Sequence, residues 1–167
     1  MDEVRVQVWR LVQDQGGKDV VLLRDEQQRH LPIWIGPYEA TAIWLKLAGA
    51  QANGMVRRPM THDLCASIIE RFGGKLERVV IDDFSNDTYY AKIYFAIDGP
   101  QPAHRREIVV DSRPSDAIAL ALRCDAPVWV ADQVMEAGNV AIAEDESSAP
   151  PEAPEEEPGA WPEQEQS

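Results

Sequence analysis

The sequence predicts an α+β fold: a mixed, largely antiparallel sheet with helices packed against it, plus a disordered acidic C-terminal tail. Three observations point there. Runs with period-two apolar patterning cluster early in the chain, as in VRVQVWRLV (residues 4–12), where valines alternate with Arg5 and Gln7. Further on, such runs alternate with segments whose apolar residues recur at helical spacing. From Glu144 onward the chain is Pro- and Glu-rich, with nine acidic residues and no Lys or Arg.

Taken in order, residues 4–12 read as a half-buried strand, DQGGKD as a turn and DVVLLRDE as the returning strand. HLPIWIG (residues 30–36) is a third strand, and Pro32 within it marks an edge or a bulge because proline cannot donate to the ladder. Pro37 opens a helix whose apolar residues Ala40, Ile43, Trp44 and Leu47 fall at i, i+3, i+4 and i+7; Glu39 in its first turn suits the helix dipole. A loop containing Asn53-Gly54 spans residues 50–60. A second helix starts at Thr61, is expected to bury Leu64, Ile68 and Phe72, and stops at Gly73-Gly74. LERVVIDD and TYYAKIYFAI, separated by Ser85-Asn86-Asp87, read as a hairpin. A loop through Gly99-Pro100 leads to the strand REIVVDS, then a helix over AIALAL, a short strand VWVA and a short helix ADQVMEAG.

Length and charge place the boundaries. The 167 residues fit one domain, residues 1–140, with residues 141–167 as an appendage. The net charge of −13 falls to −4 once the nine acids from Glu144 onward are set aside, so the domain lacks the basic face that coats nucleic acid nonspecifically. Any phosphate site must be local. Cys65 and Cys124 fit small buried thiols in a reducing compartment better than a disulfide. With no signal-type segment and no apolar run near eighteen residues, the expectation is a cytoplasmic protein without a membrane span.

The helix starts carry the chemistry. RRPMTHDL precedes the second helix and SRPSDAIAL opens the third, each placing Arg-Pro ahead of a hydroxyl residue and an aspartate. Thr61 reads as an N-cap with Asp63 in the following turn. Pro114 belongs at the first helical position, which makes Arg113 the N-cap, a place normally held by Ser, Thr, Asp or Asn. Asp116 can then reach back to the Arg113 N–H. Proline holds the residue before it extended, so the Arg113 side chain is expected to point away from its helix. Two readings of that arginine stand side by side. A helix mouth attracts phosphate, and a guanidinium there adds a bidentate donor; alternatively Arg113 pairs internally with Asp111 or Asp116.

His62 reads either as a surface residue or as a proton carrier; His30 and His104 read as strand-end and loop residues. Asp111 and Asp116, with Glu39 or Asp63, present oxygen ligands of the kind that hold Mg2+ or Mn2+. The P-loop, zinc-ligand and nucleophile-elbow spacings do not occur. Tyr89, Tyr90, Tyr94 and Phe95 form a strand pattern, read as core and surface of a sheet rather than a base-stacking platform.

At LPIWIGPYEATAI, RPMTHDL, GGKLERVVIDD, TYYAKIYF and above all DSRPSDAIALALRCDAPVWV, the chain resembles the bifunctional nuclease (BFN) domain family. The similarity covers most of residues 4–137. The resemblance implies a nuclease acting on RNA and DNA, and self-association into a homo-oligomer such as a dimer. On that reading Arg113 and Arg58 clamp the phosphate while Asp111 and Asp116 hold a divalent ion that activates water. Thr61, Asp63 and Ser115 contact substrate, and His62 moves a proton. The alternative is a non-catalytic module that binds a phosphorylated ligand or partner at the same helix N-termini.

Overall fold

A computed structural model describes residues 2–49, 58–97 and 105–140. Most of the loop expected over residues 50–60, the Gly99-Pro100 loop, His104 and the acidic tail lie outside the described residues. The elements run β1 (Glu3–Gln13), β2 (Asp19–Asp25), β3 (His30–Trp34), α1 (Pro37–Leu47), α2 (Thr61–Arg71), β4 (Gly74–Ser85), β5 (Thr88–Ile97), β6 (Arg106–Ser112), α3 (Pro114–Arg123), β7 (Val128–Ala131) and α4 (Asp132–Gly138). This is the mixed, largely antiparallel α+β arrangement that the patterning predicts.

The strands form one sheet in the order β3-β2-β1-β7-β4-β5-β6. Two antiparallel meanders, β1–β3 and β4–β6, are joined by the four residues of β7. That strand runs antiparallel to β1, with Val4 opposite Val130, and parallel to β4, with Val79 opposite Val128. Pro32 sits in an edge strand, where its missing N–H costs no ladder bond. The β4–β5 loop has two residues, Asn86 (φ 50°) and Asp87 (φ 57°), the positive pair that a type I′ hairpin turn requires and that Asn and Asp tolerate.

Residues two apart along the strands point to one face. On that face Val21 and Leu23, Leu31 and Ile33, Val79 and Ile81, and Val128 and Val130 join a single core with Ile43 and Trp44 of α1, Ile118 of α3 and Met135 of α4. Helix α3 lies deepest: residues 117–121 are all buried, and three of the five are alanines whose small side chains let the helix sit close on the sheet.

Helix α2 departs from expectation. Leu64, Ile68 and Phe72 face solvent, with Phe72 80% exposed, and no residue of the helix is fully buried. The inward face is instead His62, Asp63, Ala66 and Ile69, rotated from the apolar stripe by about one residue. Two polar side chains decide that rotation, because each has a partner on α3, described below. Thr61 is the first helical residue and not the cap; Met60 holds that position, and Asp63 Oδ2 accepts from the Met60 N–H at 3.0 Å. Cys65 is exposed rather than buried, and both cysteines are unpaired.

Candidate active site

Arg113 is the N-cap of α3, extended at φ −70°, ψ 144°, with Pro114 at the first helical position. Its side chain does not point away. The guanidinium folds over the first turn: Nε donates to Asp116 Oδ2 (2.7 Å) and Nη2 to Asp116 Oδ1 (3.1 Å), while Nη2 also lies 2.9 Å from Glu39 Oε1. Asp116 thus grips the arginine's side chain instead of its backbone N–H. A guanidinium has no acceptor for the free N–H groups of the first turn, so Arg113 cannot cap with its side chain, and the bidentate pair with Asp116 ties it to the helix start instead. Glu39 reaches this position from the first turn of α1 by folding back over Gly36, where a Cβ would collide with its carboxylate.

The internal pair and the solvent-facing arginine turn out to be compatible. Arg113 is 65% exposed, and Nη1 takes part in none of these bonds, so the cation retains a face for an outside anion.

The His62 ring closes the network from α2. Its Nε2 lies 3.0 Å from Asp116 Oδ1, and the ring is largely sheltered. Burial raises the Asp116 carboxyl, but the hydrogen bonds from Arg113 and His62 outweigh it and leave the group below the ordinary carboxylate value. An ionised carboxylate only accepts, so a neutral His62 bonded this way carries its proton on Nε2 and presents Nδ1 as a base. A base, an orienting carboxylate and an exposed guanidinium therefore stand together. The repeated Arg-Pro…Asp pattern was the sequence's sign of this: the two helix starts that carry it face one another. The His62–Asp116 contact itself has no local signature, and Glu39 was legible as a dipole-compensating acid and an oxygen ligand but not as a partner of Arg113.

Beside the network opens a cavity of about 750 Å3, lined among others by Trp34, Phe84, Tyr89, Lys18, Arg113 and Ser115. Ser115 is buried at the second position of α3.

The remaining expected site residues fall elsewhere. Asp111 is on β6, opposite Lys92 in the ladder, and exposed. Asp63 has both oxygens committed, one to the Met60 N–H and the other to Arg123 Nε at 2.8 Å. Arg58 is exposed, ahead of α2, and is not part of the network among the described residues. As a metal-ligand set these acids fit poorly. Asp116 already serves two cationic or donor partners, and among the described residues no three His, Cys, Asp or Glu side chains are arranged to hold a metal ion. Among the described residues no helix is long and apolar enough to cross a membrane.

A family model described as "Bifunctional nuclease domain" matches residues 20–143. The chain is 38% identical, over 146 residues, to an uncharacterized protein of Mycobacterium tuberculosis, covering 87% of this chain and 80% of that protein. It is 29% identical over 119 residues to bifunctional nuclease 1 of Oryza sativa subsp. japonica, covering 71% of this chain and 34% of that protein. Bifunctional nuclease 2 of Arabidopsis thaliana is 27% identical over 84 residues, which cover 50% of this chain and 25% of that protein.

Proposed function

The chain belongs to the bifunctional nuclease domain family, and on that premise we propose that it hydrolyses phosphodiester bonds of RNA, DNA or both, with His62 as proton acceptor and Arg113 as phosphate clamp. The observation that carries this reading is the chain of contacts His62–Asp116–Arg113 at the meeting point of two helix starts. His62 Nδ1 takes the proton of the attacking water while Asp116 orients the ring and stabilises the imidazolium that forms. Arg113, its guanidinium held in place by Asp116 through Nε and Nη2, offers Nη1 to the non-bridging oxygens where negative charge grows. The hydroxyls of Thr61 and Ser115 are the neighbouring candidates for substrate contact. We give Mg2+ or Mn2+ no step, because Asp116 is engaged and Asp111 stands apart. The assay therefore uses purified protein on labelled single- and double-stranded RNA and DNA, with added divalent ion and with EDTA. Cleavage is expected; binding without cleavage under every metal condition would favour the non-catalytic phosphate-binding module.

Arg113 is itself a test. Arg113→Ser places a good capping residue at an exposed position, so stability should change by no more than about 1 kcal/mol in a thermal melt. Cleavage should fall sharply, and Arg113→Lys should restore little of it because the fork is lost. A melting temperature that collapses in Arg113→Ser would make the arginine structural.

We also propose self-association through α2, supported by the outward stripe of Leu64, Ile68 and Phe72, which is larger than a scattered surface residue explains. Replacing Leu64 and Phe72 together with Ser should leave the melting temperature of the monomer nearly unchanged while light scattering shows a smaller species. An unchanged mass would sink this interface. The unpaired cysteines support a reducing, cytoplasmic setting.

A further inference from the structure

Three aromatic side chains from separate elements meet in the cavity beside Arg113. Trp34 ends β3 and is 54% exposed; Phe84 and Tyr89 flank the β4–β5 turn, their rings 4.4 Å apart and tilted by 36°. Tyr89 packs partly against the core, whereas Trp34 and Phe84 are exposed, as residues filling a core gap would not be. The Trp34 indole is fixed in place, since its Nε1 donates to Asp14 Oδ2 at 3.0 Å. We propose that this cavity is a nucleobase subsite, which holds one unstacked base of the nucleotide adjoining the phosphate at Arg113.

The proposal rests on the nuclease reading above and adds the part of the substrate that it left open. An aromatic cavity with cations among its lining residues matches a nucleotide, which is a flat π-system joined to an anion. Lys18 and Arg113 supply the cations, and Arg113 belongs to both the cavity and the His62–Asp116 network. Asp19 and Asp87 also line the space. Carboxylates there disfavour a run of phosphates but accept from the ring N–H and amino groups on a base edge. About 750 Å3 accommodates a single base with its sugar. A base stacked in a duplex cannot enter it without unpairing, so the subsite selects single strands or frayed ends. Stacking on an aromatic plate works with any base, which suits a site without sequence preference.

The test compares the full-length parent with Trp34→Ala, Trp34→Phe and Phe84→Ala. Fluorescence polarisation reads binding of labelled oligo(dT) and of a blunt DNA duplex of equal length, alongside kcat/KM on both. Trp34→Ala should weaken oligo(dT) binding roughly tenfold or more, Trp34→Phe should keep most of the affinity, and duplex binding should not change in either. Phe84→Ala should show the same single-strand bias. Parental oligo(dT) affinity in Trp34→Ala, or an equal loss on duplex, overturns the subsite even if the protein cleaves nucleic acid. Conversely, a parent that cleaves nothing yet binds oligo(dT) through Trp34 would sink the nuclease reading and leave the subsite standing. A parent that neither binds nor cleaves removes both.

Discussion

His62→Gln is expected to lower kcat/KM on labelled nucleic acid by roughly 10²- to 10⁴-fold, the contribution typical of a positioned proton acceptor. The side-chain amide nitrogen of Gln reaches the place of His62 Nε2, which sits 3.0 Å from Asp116 Oδ1, so the helix contact survives and the melting temperature should stay within about 3 °C of the parent. What is lost is the Nδ1 lone pair. Asp116→Asn should cost nearly as much activity, because an amide no longer selects the tautomer that leaves Nδ1 bare. The double variant should be little worse than either single one, since the two side chains act as a unit. Parental cleavage by His62→Gln would remove the imidazole from the chemistry and leave Arg113 as the only candidate of the network to act on substrate.

The second large effect is on stability. Arg123 closes α3 with a side chain only 3% exposed, and its guanidinium is held there by hydrogen bonds. Nε donates to Asp63 Oδ1, and Nη1 donates to the carbonyls of Ala42 (3.1 Å) and Ala119 (2.9 Å). One guanidinium therefore ties α1, α2 and α3 together. Arg123→Met keeps the volume but strands the Asp63 carboxylate, and should cost about 3 kcal/mol, the lower end for breaking a buried pair because Asp63 is partly exposed. For a domain of this size that is a fall of roughly 10 °C in Tm. A drop below about 2 °C would show that solvent replaces the arginine. Adding Asp63→Asn should recover part of the loss by removing the unpaired charge.

The same pair shapes the acid limb of the stability curve. Burial raises the Asp63 carboxyl, but the Met60 N–H and Arg123 pull it net below the usual value. A depressed folded-state value contributes stability that is full above roughly pH 4 and is lost as pH falls through the lowered value. Arg123→Met should flatten that fall.

What could be read from sequence follows from the range of the forces involved. Strands β1 and β5 show a period of two because they alternate between a core and a wetter face, whereas β2 and β3, buried at consecutive residues, show as short apolar runs. Asn86-Asp87 and Arg113-Pro114 are legible because a turn and a helix start are local steric facts. The stripe of Leu64, Ile68 and Phe72 misled for a physical reason: apolar periodicity marks a face that is covered by something, and within the described chain α2 turns His62 and Asp63 inward instead. His62 meets Asp116 across 54 residues, and Arg123 meets Asp63 across 60, so neither partnership leaves a mark at short spacing. Trp34, Phe84 and Tyr89 each look like ordinary strand residues; only the curvature of the chain makes them neighbours.

The four-residue strand β7 has a consequence for how the domain is made. Both meanders assemble from neighbours in sequence, which is fast. Their union waits for Val128–Ala131, because β7 supplies the partner for both β1 and β4, and Glu3 finds its place opposite Ala131. During synthesis the ribosome must deliver almost the whole domain before the first strand gains its second neighbour. Until then the nascent chain carries two bare strand edges, at β1 and β4, rich in valine and open to pairing with other chains. A truncation or stall shortly before residue 128 should therefore produce aggregate rather than a smaller folded protein.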